Sequence, residues 1–201
     1  MPAFRVLPVA LAILFGLPLA SLASPSVSDA GAVPADLAAL IECRGELQQF
    51  HALAPALEEP LWAVALGWRP LPQANLFLTE FVLTAPIDVF GHSTGHIAFS
   101  GNSVLAIIDL ADPRPLARKL ELETAIDTPA KAMFGKELRS VEVADPESGE
   151  VLIESLVLNV SNVDSHPGKT LVGCSYSLDL PEEPEEAEPP QPVPSLDTVA
   201  P

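Results

Sequence analysis

Basic side chains are scarce in this chain, with 10 lysines and arginines against 27 aspartates and glutamates and a net charge of −17. Nucleic-acid binding depends on lysine and arginine facing phosphates, and anionic lipid surfaces attract basic clusters. No basic run exists here, so both kinds of partner are excluded from the expectation. The acidity itself serves solubility. Cysteine is scarcer still: Cys43 and Cys174 are the only two. With no C-x-x-C spacing, a redox dithiol is excluded. No cysteine lies near the start of the chain, which removes a lipoprotein anchor. Long apolar runs are also missing. The longest, Val6 to Leu22, is interrupted by Pro8, Gly16 and Pro18 and falls short of the ~20 residues that a spanning helix needs.

That run instead has the form of a secretory signal. Arg5 and the amino terminus supply its positive region, Val6 to Leu22 its apolar region, and Ser21-Leu22-Ala23 the small residues of a cleavage site. Residues 1–23 are therefore expected to be removed, leaving a soluble protein that begins at Ser24 and has no stable membrane anchor. In an oxidising compartment an even cysteine count implies a bridge, and two cysteines allow one pairing, Cys43 with Cys174. The bias to alanine, leucine and proline with little lysine points to a GC-rich bacterial genome, and so to a periplasmic or secreted address.

Both flanks of the body read as unstructured. Residues 24–34 form a linker. Residues 181–201 carry Glu182, Glu183, Glu185, Glu186, Glu188 and Asp197 among prolines, with no base. Proline donates to neither helix nor ladder, and like charges repel, so this tail is expected to be disordered, serving as a solubilising segment, with a spacer or a ligand for a basic partner as the alternative. Residues 35–180 remain as one domain large enough for a real core.

Within that body the elements alternate in kind. Asp36 caps a helix through Leu37, Leu40 and Ile41, with Gly45 as its stop. Leu47, Phe50, Ala54 and Leu57 continue helical spacing over Glu46 to Leu57, which Pro60 closes. Leu61 to Trp68 fits a short helix or a buried strand. Leu76 to Thr84 is rich in branched and aromatic residues and predicts a strand ended by Pro86. Ile87 to Phe90, His96 to Phe99 and Val104 to Leu110 follow as short strands. Asp112 and Pro113 open a helix with Leu116, Ala117 and Leu120 on its apolar stripe, and Thr128-Pro129 opens a second, stopped at Gly135. Leu138 to Ala144 and Glu150 to Val160 predict a hairpin around Asp145 to Gly149. In the last strand Thr170, Val172, Cys174, Tyr176 and Leu178 share one face, which points Cys174 at the core. The fold class is α+β, with N-terminal helices packed on a mostly antiparallel sheet and one disulfide.

One stretch carries a catalytic signature. Gly91-His92-Ser93-Thr94-Gly95 matches G-x-S-x-G, and it resembles the nucleophile elbow of the lipase-like α/β-hydrolases. The resemblance implies a secreted serine esterase with Ser93 as nucleophile, His166 as base, and Asp145 or Asp127 as the acid. It covers five residues. The segment after Gly95 alternates like a strand, whereas the elbow needs a helix there, and no HGGG-type segment lies upstream.

Other candidates are weaker. His92 and His96 with His51 or His166 could gather at a metal, but the glycines argue against one helical face. The histidines are therefore expected to serve as turn residues, with no metal site and no cofactor. Trp62 and Trp68 fit a core better than a ligand pocket. Asn159-Val160-Ser161 has the form of a glycosylation sequon but falls inside an expected strand. The leading expectation is thus an exported, non-catalytic binding or interaction protein for an unknown protein or small ligand. The serine esterase built on Ser93 is the alternative.

Overall fold

The computed structural model describes residues 36–145 and 148–181. The signal and linker, and nearly all of the tail, lie outside them. Four short helices come first: α1 (Leu37–Ile41), α2 (Leu47–His51), α3 (Ala54–Glu58) and α4 (Pro60–Ala65). Strands β1 (Trp68–Pro70), β2 (Thr79–Val89), β3 (His92–Ser100) and β4 (Ser103–Ile108) follow. Helix α5 (Arg114–Lys119) leads to β5 (Glu123–Asp127), β6 (Ala132–Ala144), β7 (Val151–Ser161) and β8 (Thr170–Asp179). All eight strands form one antiparallel sheet in the order β1-β2-β3-β4-β8-β7-β6-β5. It consists of two meanders, β1 to β4 and β5 to β8, joined side by side where β4 pairs with β8. The expected class, α+β with N-terminal helices on an antiparallel sheet, is the observed one.

Side-chain alternation gives this sheet two different faces. On one, Phe81, Ile97, Phe99, Val104, Val172 and Tyr176 pack against Leu37, Leu40, Ile41 and Phe50 of the helices. Asp36 caps α1 by accepting a hydrogen bond from the Ala39 N–H at 3.1 Å. Tyr176 donates to the Leu40 carbonyl at 2.8 Å and stacks on Phe50 at 4.9 Å between ring centroids, which ties β8 to α1 and α2. The Cys43–Cys174 disulfide joins the same elements across 131 residues. On the other face a smaller apolar cluster of Leu78, Ala98, Leu105, Ile107 and Leu171 has Val163 packed against it. Gly173 sits between β4 and β7 in the register of Leu105 and Asn159.

Three expectations need correction, and one open alternative is decided. The helix expected over Glu46 to Leu57 is two, because Pro55 lies at the start of α3 and cannot continue a helix from α2: it lacks an N–H, and its ring meets the carbonyl four residues back. Pro86 does not end its strand. Strand β2 runs through it, and the register with β3 shifts between Val82 and Ile87, an irregularity of the kind that accommodates proline in a sheet. The helix expected at Thr128-Pro129 is a turn between β5 and β6. There the Thr128 N–H donates to the Lys131 carbonyl and the Lys131 N–H donates to Thr128 Oγ1, both at 2.9 Å. Serine, threonine and proline open turns as readily as helices, and Gly135 lies within β6. The ambiguous Leu61 to Trp68 divides into α4, then Gly67 at φ 79, then β1.

Candidate functional site

Two loops meet over the outer face of the sheet, residues 71–78 before β2 and residues 162–169 between β7 and β8. Asn75 Nδ2 joins them by donating to Ser165 Oγ at 3.0 Å. Beneath this junction lies Glu80, whose register with Ala98 puts it on the outer face. A carboxylate there breaks the apolar pattern, and the Glu80 side chain is only 4 % exposed. His96 Nε2 and His166 Nε2 both approach Glu80 Oε2, at 2.9 and 3.0 Å. The His166 side chain is 10 % exposed and that of His96 29 %. Their ring centroids are 5.9 Å apart, and ligand atoms of all three residues lie within 4.8 Å of one another.

Each member is held by its own element. Glu80 belongs to β2, opposite Ala98 of β3, and its carbonyl accepts from the Leu71 N–H at 2.9 Å. The His96 N–H donates to Thr94 Oγ1 at 3.1 Å, and Thr94 Oγ1 donates to the Ile107 carbonyl at 2.7 Å. His166 sits between consecutive turns, with its N–H on the Val163 carbonyl and its own carbonyl accepting from Lys169. Lys169 pairs with Asp109, which fastens the loop to the end of β4.

The Glu80 carboxylate is incompletely satisfied. Oε2 accepts from two histidines, but buried Oε1 has no hydrogen-bond partner among the described residues. A carboxylate offers about four acceptor sites, and leaving a buried charged group short of partners costs about 1–3 kcal/mol or more. Two imidazoles and a carboxylate converging from three elements form a donor set for a divalent transition metal. Bonds of about 2.0–2.2 Å to such an ion put tetrahedral donors roughly 3.3 Å apart. The two Nε2–Oε2 separations are already close to that edge.

The other expected site residues lie elsewhere. Phe90 and Gly91, at φ 51 and 85, are the two central residues of the β2–β3 hairpin turn, the positive-φ pair that such tight hairpins require. The G-x-S-x-G stretch thus begins in a hairpin, and Gly95 continues β3 as a strand. Ser93 is exposed opposite Asp88, and no described hydrogen bond joins it to a histidine. His166 instead neighbours Ser165, whose Oγ lies 2.9 Å from its Nδ1. Asp145 closes the β6–β7 turn by accepting from the Ser148 N–H at 2.8 Å. Asp127 pairs with Arg114 at 2.7 Å. That pair, with Asp112, raises the Arg114 guanidinium above its ordinary value.

His51 ends α2 and His92 begins β3, so of the four histidines two converge. Trp68 is buried and lines a cavity of about 280 Å³ with Leu37, Leu53 and Ile87, whereas Trp62 is 56 % exposed. The sequon residue Asn159 lies in β7 and donates to Ser175 Oγ at 2.8 Å. Sequence reasoning considered His96 and His166 but missed Glu80. The available signal was a lone carboxylate sharing strand parity with Leu78 and Val82, which is a charge on an apolar face.

No protein-family model matches this chain. No curated protein matches it, and no solved structure does. Among the described residues no helix is long and apolar enough to cross a membrane.

Proposed function

We propose that this is an exported, non-catalytic binding protein whose ligand is a divalent transition-metal ion held by Glu80, His96 and His166. The observation that carries the reading is the buried Glu80 carboxylate, shared by two histidine Nε2 atoms while its second oxygen has no partner among the described residues. An ion between the three donors would replace two hydrogen bonds and neutralise a charge that burial makes costly. Imidazole suits zinc, copper and nickel, whereas calcium and magnesium prefer all-oxygen shells. Export is supported by the form of residues 1–23 and by the disulfide, a bond that persists in oxidising compartments.

Isothermal titration and thermal-shift assays with Zn²⁺ test this reading. The wild type should take up one ion per chain and melt at higher temperature, because a ligand that binds only the folded state stabilises it. His96→Ala, His166→Ala and Glu80→Gln should abolish both effects, whereas His92→Ala and Ser93→Ala should leave them intact. Wild-type protein that neither releases heat nor shifts its melting in about millimolar Zn²⁺ would sink the proposal.

A further inference from the structure

We infer that Ser165 and Asn75 are positioning residues for this centre, turning His166 so that Nε2 rather than Nδ1 meets the ion. The inference rests on the metal-binding reading above and adds an outer shell to it. Asn75 is itself fixed: its Oδ1 accepts from the Phe77 N–H at 2.9 Å and its carbonyl from the Leu78 N–H at 3.1 Å. Its Nδ2 then reaches Ser165 Oγ, and Ser165 Oγ reaches His166 Nδ1. A continuous chain of hydrogen bonds thus runs from the 71–78 loop through the 162–169 loop to Glu80.

The chain has a direction, and the direction must reverse at one point. Ionised Glu80 can only accept, so a histidine bonded to it carries its hydrogen on Nε2. In the neutral ring His166 Nδ1 is then the acceptor, and it takes the hydroxyl hydrogen of Ser165. An ion on Nε2 requires that nitrogen bare, so the ring hydrogen must sit on Nδ1 and find an acceptor. A carboxylate at position 165 could only accept and an ammonium could only donate. A hydroxyl does either by rotating about its Cβ–Oγ bond, and Ser165 is exposed, so its own hydrogen can then turn to water. Asn75 donates to Ser165 Oγ in both arrangements and keeps that atom in place. His96 has no such support, since its Nδ1 makes no hydrogen bond among the described residues. The two histidines are therefore unequal, His166 being the oriented ligand and His96 the more exposed one.

Partners that orient metal-bound histidines typically contribute roughly 10–100-fold in affinity. In the full chain, Zn²⁺ affinity measured by competition with a chromophoric chelator should fall by that factor in Ser165→Ala. Ser165→Thr, which keeps the hydroxyl, should restore it, and Asn75→Ala should give a smaller loss. Nitrogen-15 spectra of the imidazoles add a readout that simple loop loosening would not move. The His166 hydrogen should sit on Nε2 before Zn²⁺ and on Nδ1 after it. Ser165→Ala with wild-type affinity, or a loaded His166 bound through Nδ1, would overturn the inference while leaving the three-ligand centre standing. Failure of the wild type to take up Zn²⁺ would instead remove the centre itself.

Discussion

Replacing the bridge with the pair Cys43→Ala and Cys174→Ala should cost this fold much of its stability. The bond closes a loop of 131 residues, and the chain-entropy relation gives about 5 kcal/mol for that length at room temperature. Cys174 is fully buried against the helices, so removing its sulfur adds about 1 kcal/mol for lost contacts. Position 43 carries a separate cost, which alanine keeps and glycine removes. Cys43 holds φ at 55, a left-handed conformation costing about 1–2 kcal/mol for any residue with a side chain. Cys43→Gly with Cys174→Ala should therefore be more stable than the double alanine by roughly 1 kcal/mol. Urea unfolding followed by circular dichroism and tryptophan fluorescence gives the comparison. With a slope of about 2 kcal/mol per molar, the loss corresponds to a midpoint lower by about 3 M. Wild-type protein kept reduced should behave like the double alanine. A midpoint that moves by less than about 0.5 M would refute the argument, because it would mean that the unfolded chain gains little freedom from the cut.

Two further perturbations probe the core. Burial, with the charge of Glu46 adding to it, holds the Tyr176 hydroxyl well above its ordinary value. Stability from this group is therefore complete below about pH 10 and is lost as the pH rises above it, by up to about 1.4 kcal/mol per unit. Tyr176 is the only tyrosine, so near-ultraviolet tyrosinate absorbance follows it directly, and ionisation near pH 10 with native circular dichroism would contradict this. Gly173→Ala should destabilise by about 3 kcal/mol or more, since a Cβ there would press into the Val104 carbonyl and lie 2.8 Å from Leu105 Cα. Thermal melting decides it, and a melting temperature within a degree or two of wild type would mean that β4 and β8 separate without penalty.

Local signals were legible where one residue decides one feature. Asp36 announced its helix, and the alternation of Thr170 to Leu178 put Cys174 and Tyr176 on the core side. The Asp145 to Gly149 turn marked its hairpin. Features depending on pairing between distant strands were not legible. Glu80 meets His166 86 residues later, a coincidence of register and loop path that no periodicity carries. The turn at Thr128-Pro129 shows the same ambiguity at short range, because threonine before proline starts a helix or a turn with equal ease, and the following strand decides. The three residues of β1 are too few for alternation to register, and β5 is exposed along most of its length, so it has no buried face for alternation to mark.

The junction of the two meanders sets the order in which this molecule can be completed. Within β1 to β4 and within β5 to β8, every pairing joins consecutive strands, so each half can form by local steps as it emerges. The pairing of β4 with β8 must wait, because it brings Ser103 to Ser175 and Val104 to Cys174. Until the final strand is made, β4 presents an open edge of Val104 to Ile108, an apolar run suited to wrong partners. Cys43 likewise emerges 131 residues before its partner. The last strand therefore both closes the sheet and supplies the second sulfur, so the cover for the unprotected edge and the covalent lock arrive with the same element.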